Sequence, residues 1–142
     1  MTGEVVLGYD GHESSGRALR TATSIAAAFG RPLVVVFGYR PPTMGGDIAD
    51  LRRAVREIGD QVTKEAVDAA HQVDASVSVA VELVDDRPAE AILRVADEYD
   101  ALMTVVGATG RGPISGSLLG SVTYQVVHRS TRPVVVVPGP SG

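Results

Sequence analysis

Hydrophobic and polar positions divide the chain into short apolar runs alternating with longer helical patterns. Residues 4–9 (EVVLGY) form an apolar run closed by Asp10 and Gly11, which predicts a first strand. A helical stripe follows through Ala18, Leu19, Ala22, Ile25, Ala26 and Phe29. Ser14 is suited to cap that helix and Gly30 to stop it. Residues 32–38 (PLVVVFG) predict a second buried strand, too short and too β-branched for a buried helix. Two prolines and two glycines make residues 40–46 a loop.

Asp47 is placed to cap a long second helix, whose apolar positions are Ile48, Leu51, Val55, Ile58, Val62, Ala66, Ala69 and Val73. Residues 76–84 are mostly β-branched, with Ser78 and Glu82 on one face, and predict a strand near a sheet edge. Residues 85–88 turn into a third helix with Pro88 in its first turn and Ala89, Ile92, Leu93, Ala96 and Tyr99 as its apolar positions. A fourth strand over 101–106, a glycine-rich segment, a last helix over 121–129 and a fifth strand over 133–137 complete the order.

Strands alternating with helices predict a parallel sheet with helices on both faces and right-handed crossovers. The expected architecture is one α/β domain over 1–142, a doubly wound Rossmann-like sheet of five strands in the order 3-2-1-4-5. In such sheets ligands bind beyond the carboxyl ends of the strands, where the strand order reverses. That rule selects the loops after strands one, two and four.

Composition narrows the chemistry. The 142 residues are 44% hydrophobic but only 4% aromatic, so the core is built from Val, Ile, Leu and Ala. The net charge of -4 argues against a nucleic-acid or anionic-membrane partner. It leaves room for a small anion bound by backbone N–H groups. The absence of cysteine excludes disulfides and thiolate chemistry. With no membrane-length apolar run and no signal-peptide pattern, the expectation is a soluble cytoplasmic protein. Lys64 is the sole lysine and has no glycine loop around it, so there is no Walker-type phosphate loop.

The chemistry then concentrates in residues 107–123 (GATGRGPISGSLLGSVT), which follow a strand and precede a helix. Gly107, Gly110, Gly112, Gly116 and Gly120 permit close approach of the backbone to a ligand. The last helix opens at Gly120, Ser121, Val122 and Thr123, and its first N–H groups lack intrahelical partners. A phosphate there is favourable, with hydroxyls from Ser121 and Thr123 as further donors. Arg111 is the only cationic side chain in the segment and is placed to reach terminal phosphates. A plain loop with Ser121 as helix cap is the bland alternative. The spacing is not a dinucleotide fingerprint, which belongs after the first strand of a βαβ unit.

Elsewhere the structural readings dominate. Asp85 and Asp86 read as the opening turn of a helix, with Asp86 complementing the dipole. His12, His71 and His128 share no metal spacing. Arg52, Arg53 and Arg56 read as a solvated helix face. Asp10 is either a ligand contact or a cap for the first helix.

Gly107, two residues, Gly110, nine residues and then Gly120-Ser121 fit the pattern G-x2-G-x9-G-(S/T) without a gap. With VVLGYDG at the start, RPAEAIL at 87–93 and RPVVVVP at the end, the chain resembles the nucleotide-binding branch of the universal stress proteins over nearly its whole length. The resemblance implies ATP binding in a stress or dormancy response, as a sensor or regulator. It implies adenine between the loops after strands one and two, with Gly8 and Asp10 at the adenosine end and Gly38 offering backbone groups to the base. Ribose would lie near Gly107 and Gly110, and phosphates on Gly120, Ser121, Val122 and Thr123. Asp10 alternatively helps to hold Mg²⁺ with the nucleotide. The resemblance further implies a homodimer paired through the last strand, Val134, Val135, Val136 and Val137. Thr109 departs from the family, where Arg or His is frequent, and bears on preference between ATP and AMP. Two alternatives stay open: a slow ATPase or phosphotransferase using Mg-ATP, although no general base is visible in the segment, and an interaction module with a vestigial or AMP-preferring site.

Overall fold

A computed structural model describes residues 3–40, 48–108 and 119–139, apart from the side chain of Glu13. Asp47, Thr109, Gly110, Arg111 and Gly112 lie outside the described residues. The elements are β1 (Val5–Gly8), α1 (Glu13–Phe29), β2 (Leu33–Gly38), α2 (Ile48–Val73), β3 (Val79–Val84), α3 (Pro88–Glu98), β4 (Met103–Gly107), α4 (Ser121–Arg129) and β5 (Val134–Val137). All strand pairs are parallel, and the order is β3-β2-β1-β4-β5, as the alternation of patterns predicts.

The two-residue period of the strands divides the core into two layers. Val5, Leu7, Leu33, Val35 and Val105 meet Ala18, Leu19, Ala22 and Ala26 of α1 and Ala66 and Ala70 of α2. Their neighbours Val6, Val34, Val36 and Val106 meet Ala89, Ile92, Val95 and Ala96 of α3 and Val126 of α4. The central strand β1 is sealed on both faces, with Val5, Val6 and Leu7 each 0% exposed. Alanine on the helix faces allows close approach, so small residues line one side of each layer and branched ones the other.

Two expectations are corrected. α1 begins at Glu13 with His12 as its N-cap, so Ser14 lies inside the helix and does not cap it. The chain enters the helix earlier because Asp10 already organises the preceding turn: its Oδ1 accepts the N–H of His12 at 2.9 Å. The second correction concerns α2, whose buried residues are Gly59, Thr63, Ala66 and Ala70. Of the anticipated apolar stripe only Ala66 is buried, while Ile48, Leu51, Ile58 and Val73 are exposed, Ile58 by 58%. The helix packs through its smallest side chains: a Cβ on Gly59 would sit 3.1 Å from Phe37 Cδ1 and 3.2 Å from Leu83 Cδ2. At 26 residues, or about 39 Å at 1.5 Å per residue, α2 overruns the sheet it covers.

Gly30 stops α1 as expected, in the left-handed region at φ 65°, with its N–H directed to the last-turn carbonyls of Ala26 and Ala27. No described helix is long and apolar enough to cross a membrane.

Candidate functional site

β1 and β4 are adjacent and their connections leave in opposite directions, so the carboxyl ends of the strands part above them. A cavity of about 490 Å³ opens there. Gly8, Tyr9 and Asp10 contribute from β1, Phe37, Gly38, Tyr39 and Arg40 from β2, and Gly107 from β4. Gly120, Ser121, Val122 and Thr123 form the wall given by the start of α4. Ser14 and Ser15 of α1, Val55 of α2, and Pro88 and Ile92 of α3 close the remaining sides. Eight of the residues singled out in the sequence therefore share one cavity. The other three, Gly110, Arg111 and Gly112, lie outside the described residues, as does Thr109.

The cavity has two chemically distinct ends. Val36, Phe37, Val55, Pro88 and Ile92 make one end apolar. Tyr39 is buried in that wall, and its hydroxyl lies 3.1 Å from the Arg56 guanidinium of α2. The other end is lined by backbone. Gly120 is the N-cap of α4 and carries no side-chain acceptor for the helix N–H groups. The N–H of Gly120 goes to Ala108 O at 2.9 Å, and helical bonding starts with Tyr124 N–H to Gly120 O at 2.9 Å. The N–H groups of Ser121, Val122 and Thr123 have no acceptor among the described residues. A helix start left uncapped beside a cavity carries the positive end of the dipole.

Asp10 sits between these ends with its carboxylate held in place. Ser15 Oγ lies 2.9 Å from Asp10 Oδ1 and 2.9 Å from His12 O, and its single proton serves one of them. Asp10 does not cap α1, whose N-cap is His12 without a side-chain cap hydrogen bond; its carboxylate organises the preceding turn and lines the cavity. Burial pushes the Tyr9 phenol above its ordinary pKa, and Glu65 and Asp10 add to the shift, so Tyr9 is a neutral donor at physiological pH.

At each of the three strand-end glycines a Cβ would meet an atom of a neighbouring helix. A Cβ on Gly8 would lie 2.5 Å from Ile92 Cδ1, one on Gly38 2.8 Å from Pro88 Cα, and one on Gly107 2.5 Å from Ser14 Oγ. The loop after strand two, which the switch-point rule selects, brings Tyr39 into the lining, whereas reading the sequence did not single out Arg40, Val55, Pro88 or Ile92. For Pro88 the available signal was position, since the turn it closes precedes a helix that must cover β1 and β2.

The hydroxyl of Thr123 does not face a ligand freely. It donates to Gly107 O at 2.5 Å, and Thr123 is only 3% exposed. Its backbone N–H remains without an acceptor among the described residues.

Fold and cavity together define a doubly wound α/β domain with a pocket at its switch point. The family model of the universal stress proteins matches residues 1–138. Universal stress protein Rv1636 of Mycobacterium tuberculosis is 32% identical over 139 residues, covering 94% of each chain. A universal stress protein encoded in the 3' region of the QAH/OAS sulfhydrylase gene of Thermus aquaticus is 32% identical over 134 residues, covering 94% of this chain and 96% of its own. A crystal structure of a universal stress protein in complex with cAMP superposes with a TM-score of 0.76 at 31% identity, covering 99% and 100% of the two chains. The Archaeoglobus fulgidus universal stress protein in complex with dAMP gives 0.70 at 23% identity, covering 94% and 95%, a likeness of fold. The chain belongs to the universal stress protein family.

Proposed function

We propose that the chain binds an adenine nucleotide, ATP in the first instance, and acts as a sensor or regulator in a stress response. The observation that carries this is the start of α4, whose N-cap is a glycine: the N–H groups of Ser121, Val122 and Thr123, which have no acceptor among the described residues, line a cavity whose opposite end is apolar. A base fits the apolar end and a phosphate fits the helix start. The spacing of Gly107, Gly110 and Gly120-Ser121 supports the same ligand, and a relative of 31% identity was crystallised with cAMP.

In this reading Gly8, Asp10 and Gly38 contact the adenosine end, and Gly107 and Gly110 the ribose. The phosphates lie against Gly120, Ser121, Val122 and Thr123, with Arg111 and Gly112 beyond them. The N–H of Gly120 is already engaged by Ala108 O, so its part is to keep side-chain bulk away from the phosphates. A magnesium ion would take most of its ligands from phosphate and water, because the described residues hold no group of three metal-ligating side chains. Asp10 offers it one carboxylate oxygen, the other being engaged within the turn. The exposed edge of β5 supports a homodimer paired through that strand. Val134, Val135 and Val136 are half-buried although β5, at the sheet's edge, pairs with β4 alone among the described residues.

Titration calorimetry with ATP and Mg²⁺, followed by AMP and cAMP, tests the reading. It predicts one site per chain, lost in a folded Gly120→Val protein, and phosphate release slower than about 1 s⁻¹, the low end of ordinary turnover. No heat and no thermal shift at millimolar ATP would sink the binding claim, and faster turnover would sink the sensor role.

A further inference from the structure

Three hydrogen bonds stitch the start of α4 to the end of the sheet. Ala108 N–H donates to Val137 O at 2.8 Å, Gly120 N–H donates to Ala108 O at 2.9 Å, and the Thr123 hydroxyl donates to Gly107 O at 2.5 Å. The first two are backbone bonds available to any sequence. The third depends on a side chain, and Thr123 is the residue that supplies it.

α4 is nine residues long, and its buried residues are Thr123 and Val126 alone. Its far end is tied to α3 by the Arg129 guanidinium, which donates to both carboxylate oxygens of Glu90 at 2.9 and 2.6 Å. At the near end Val122 is only half-buried, and the N-cap is a glycine without a side chain. Among the described residues the Thr123 hydroxyl is the side-chain hydrogen bond that ties the first turn to β4, beside the packing of Val122 against the core. A hydroxyl has one proton, and here it is spent on the protein.

We propose that Thr123 is a positioning residue, whose hydroxyl locks the first turn of α4 onto Gly107 and so sets where the N–H groups of Ser121, Val122 and Thr123, without an acceptor among the described residues, face the phosphate. This rests on the nucleotide-binding reading above. Within that reading it moves the Thr123 side chain from ligand donor to scaffold.

The test compares Thr123→Val, which keeps the shape and removes the proton, with Thr123→Ser, which restores the proton. Thr123→Ala is a second deletion that places no extra methyl against the Gly107 carbonyl. Amide hydrogen exchange is measured in the nucleotide-free protein, and affinity is measured for ATP with Mg²⁺ and for adenosine. With Val or Ala at 123, the Gly120 and Tyr124 amides exchange at least about tenfold faster, consistent with loss of one buried hydrogen bond. ATP affinity falls by a similar factor, adenosine affinity holds within about twofold, and Ser restores all three.

Loss of ATP affinity with unchanged exchange overturns the proposal and makes the hydroxyl a direct ligand donor. Unchanged exchange and unchanged affinity overturn it as well. Should the wild-type protein bind no ATP, the nucleotide reading fails, and the exchange arm alone decides the lock.

Discussion

Gly38 separates two reasons for a glycine at a site, access for a ligand and access for a neighbouring helix. A Cβ at this position would lie 2.8 Å from Pro88 Cα, 2.9 Å from Ala91 Cβ and 3.2 Å from Asp86 O. Carbon atoms pack best at about 3.5–4.0 Å, so Gly38→Ala requires α3 to retreat by roughly 0.7 Å. The obstructing atoms are backbone and a Cβ, which move only with the helix. Ala91 is itself 0% exposed. Overpacking of this kind costs about 1–3 kcal/mol, offset by about 0.4–1 kcal/mol from the stiffer unfolded chain. Gly8→Ala is the control. Its Cβ would meet Ile92 Cδ1 at 2.5 Å, the far end of a flexible side chain, whose displacement costs about 0.5–1.5 kcal/mol. Urea denaturation at unchanged m-value reads both. The expected result is a Gly38→Ala midpoint below wild type by more than that of Gly8→Ala. A Gly38→Ala protein as stable as wild type, or less affected than Gly8→Ala, refutes the helix-approach account.

Two further predictions concern pH. The fork from Arg129 holds the Glu90 carboxyl below the usual carboxylate range. A depressed folded pKa contributes stability above the unfolded value, about 4.3, and loses it as pH falls through the folded one. The stability gap between wild type and Glu90→Gln at pH 7 therefore closes below about pH 4 in a thermal unfolding series; a gap that persists there contradicts the bridge. The Tyr99 hydroxyl donates to Glu82 Oε1 at 2.7 Å, and mainly for that reason the phenol is pushed up to about 12. A raised folded pKa contributes stability below the unfolded value of about 10 and loses it as pH rises through the folded one. Any advantage of wild type over Tyr99→Phe at pH 8 then shrinks between about pH 10 and 12, and an advantage that holds at pH 12 contradicts the assignment.

Strand order was legible because the elements alternate strictly and the strands are near-continuous Val and Leu, the composition of a doubly covered parallel sheet. The packing face of α2 was not. Large apolar side chains at Ile48, Leu51 and Ile58 dominate the periodicity, while the helix docks through Gly59, Thr63, Ala66 and Ala70. Hydrophobicity marks which residues favour burial, and close approach of two elements is decided by which residues are small. The glycine spacing located the cavity wall, yet a Cβ at Gly8, Gly38 or Gly107 would also meet Ile92, Pro88 or Ser14, and at Gly38 the obstructing atoms are backbone and a Cβ. That is a tertiary contact with no local signature. Thr123 illustrates the same limit: its hydroxyl reads as a ligand donor in the sequence, and only the placement of Gly107 beside it shows where the proton goes.

The central claim is that phosphate meets the open start of α4. Its most direct test is a titration of isotope-labelled protein with ATP and Mg²⁺, following the backbone amides by NMR. The account predicts that the Ser121, Val122 and Thr123 amides shift most and saturate together, while adenosine moves residues of the apolar end and leaves those three near their starting positions. Saturable binding that leaves the three amides unmoved contradicts it.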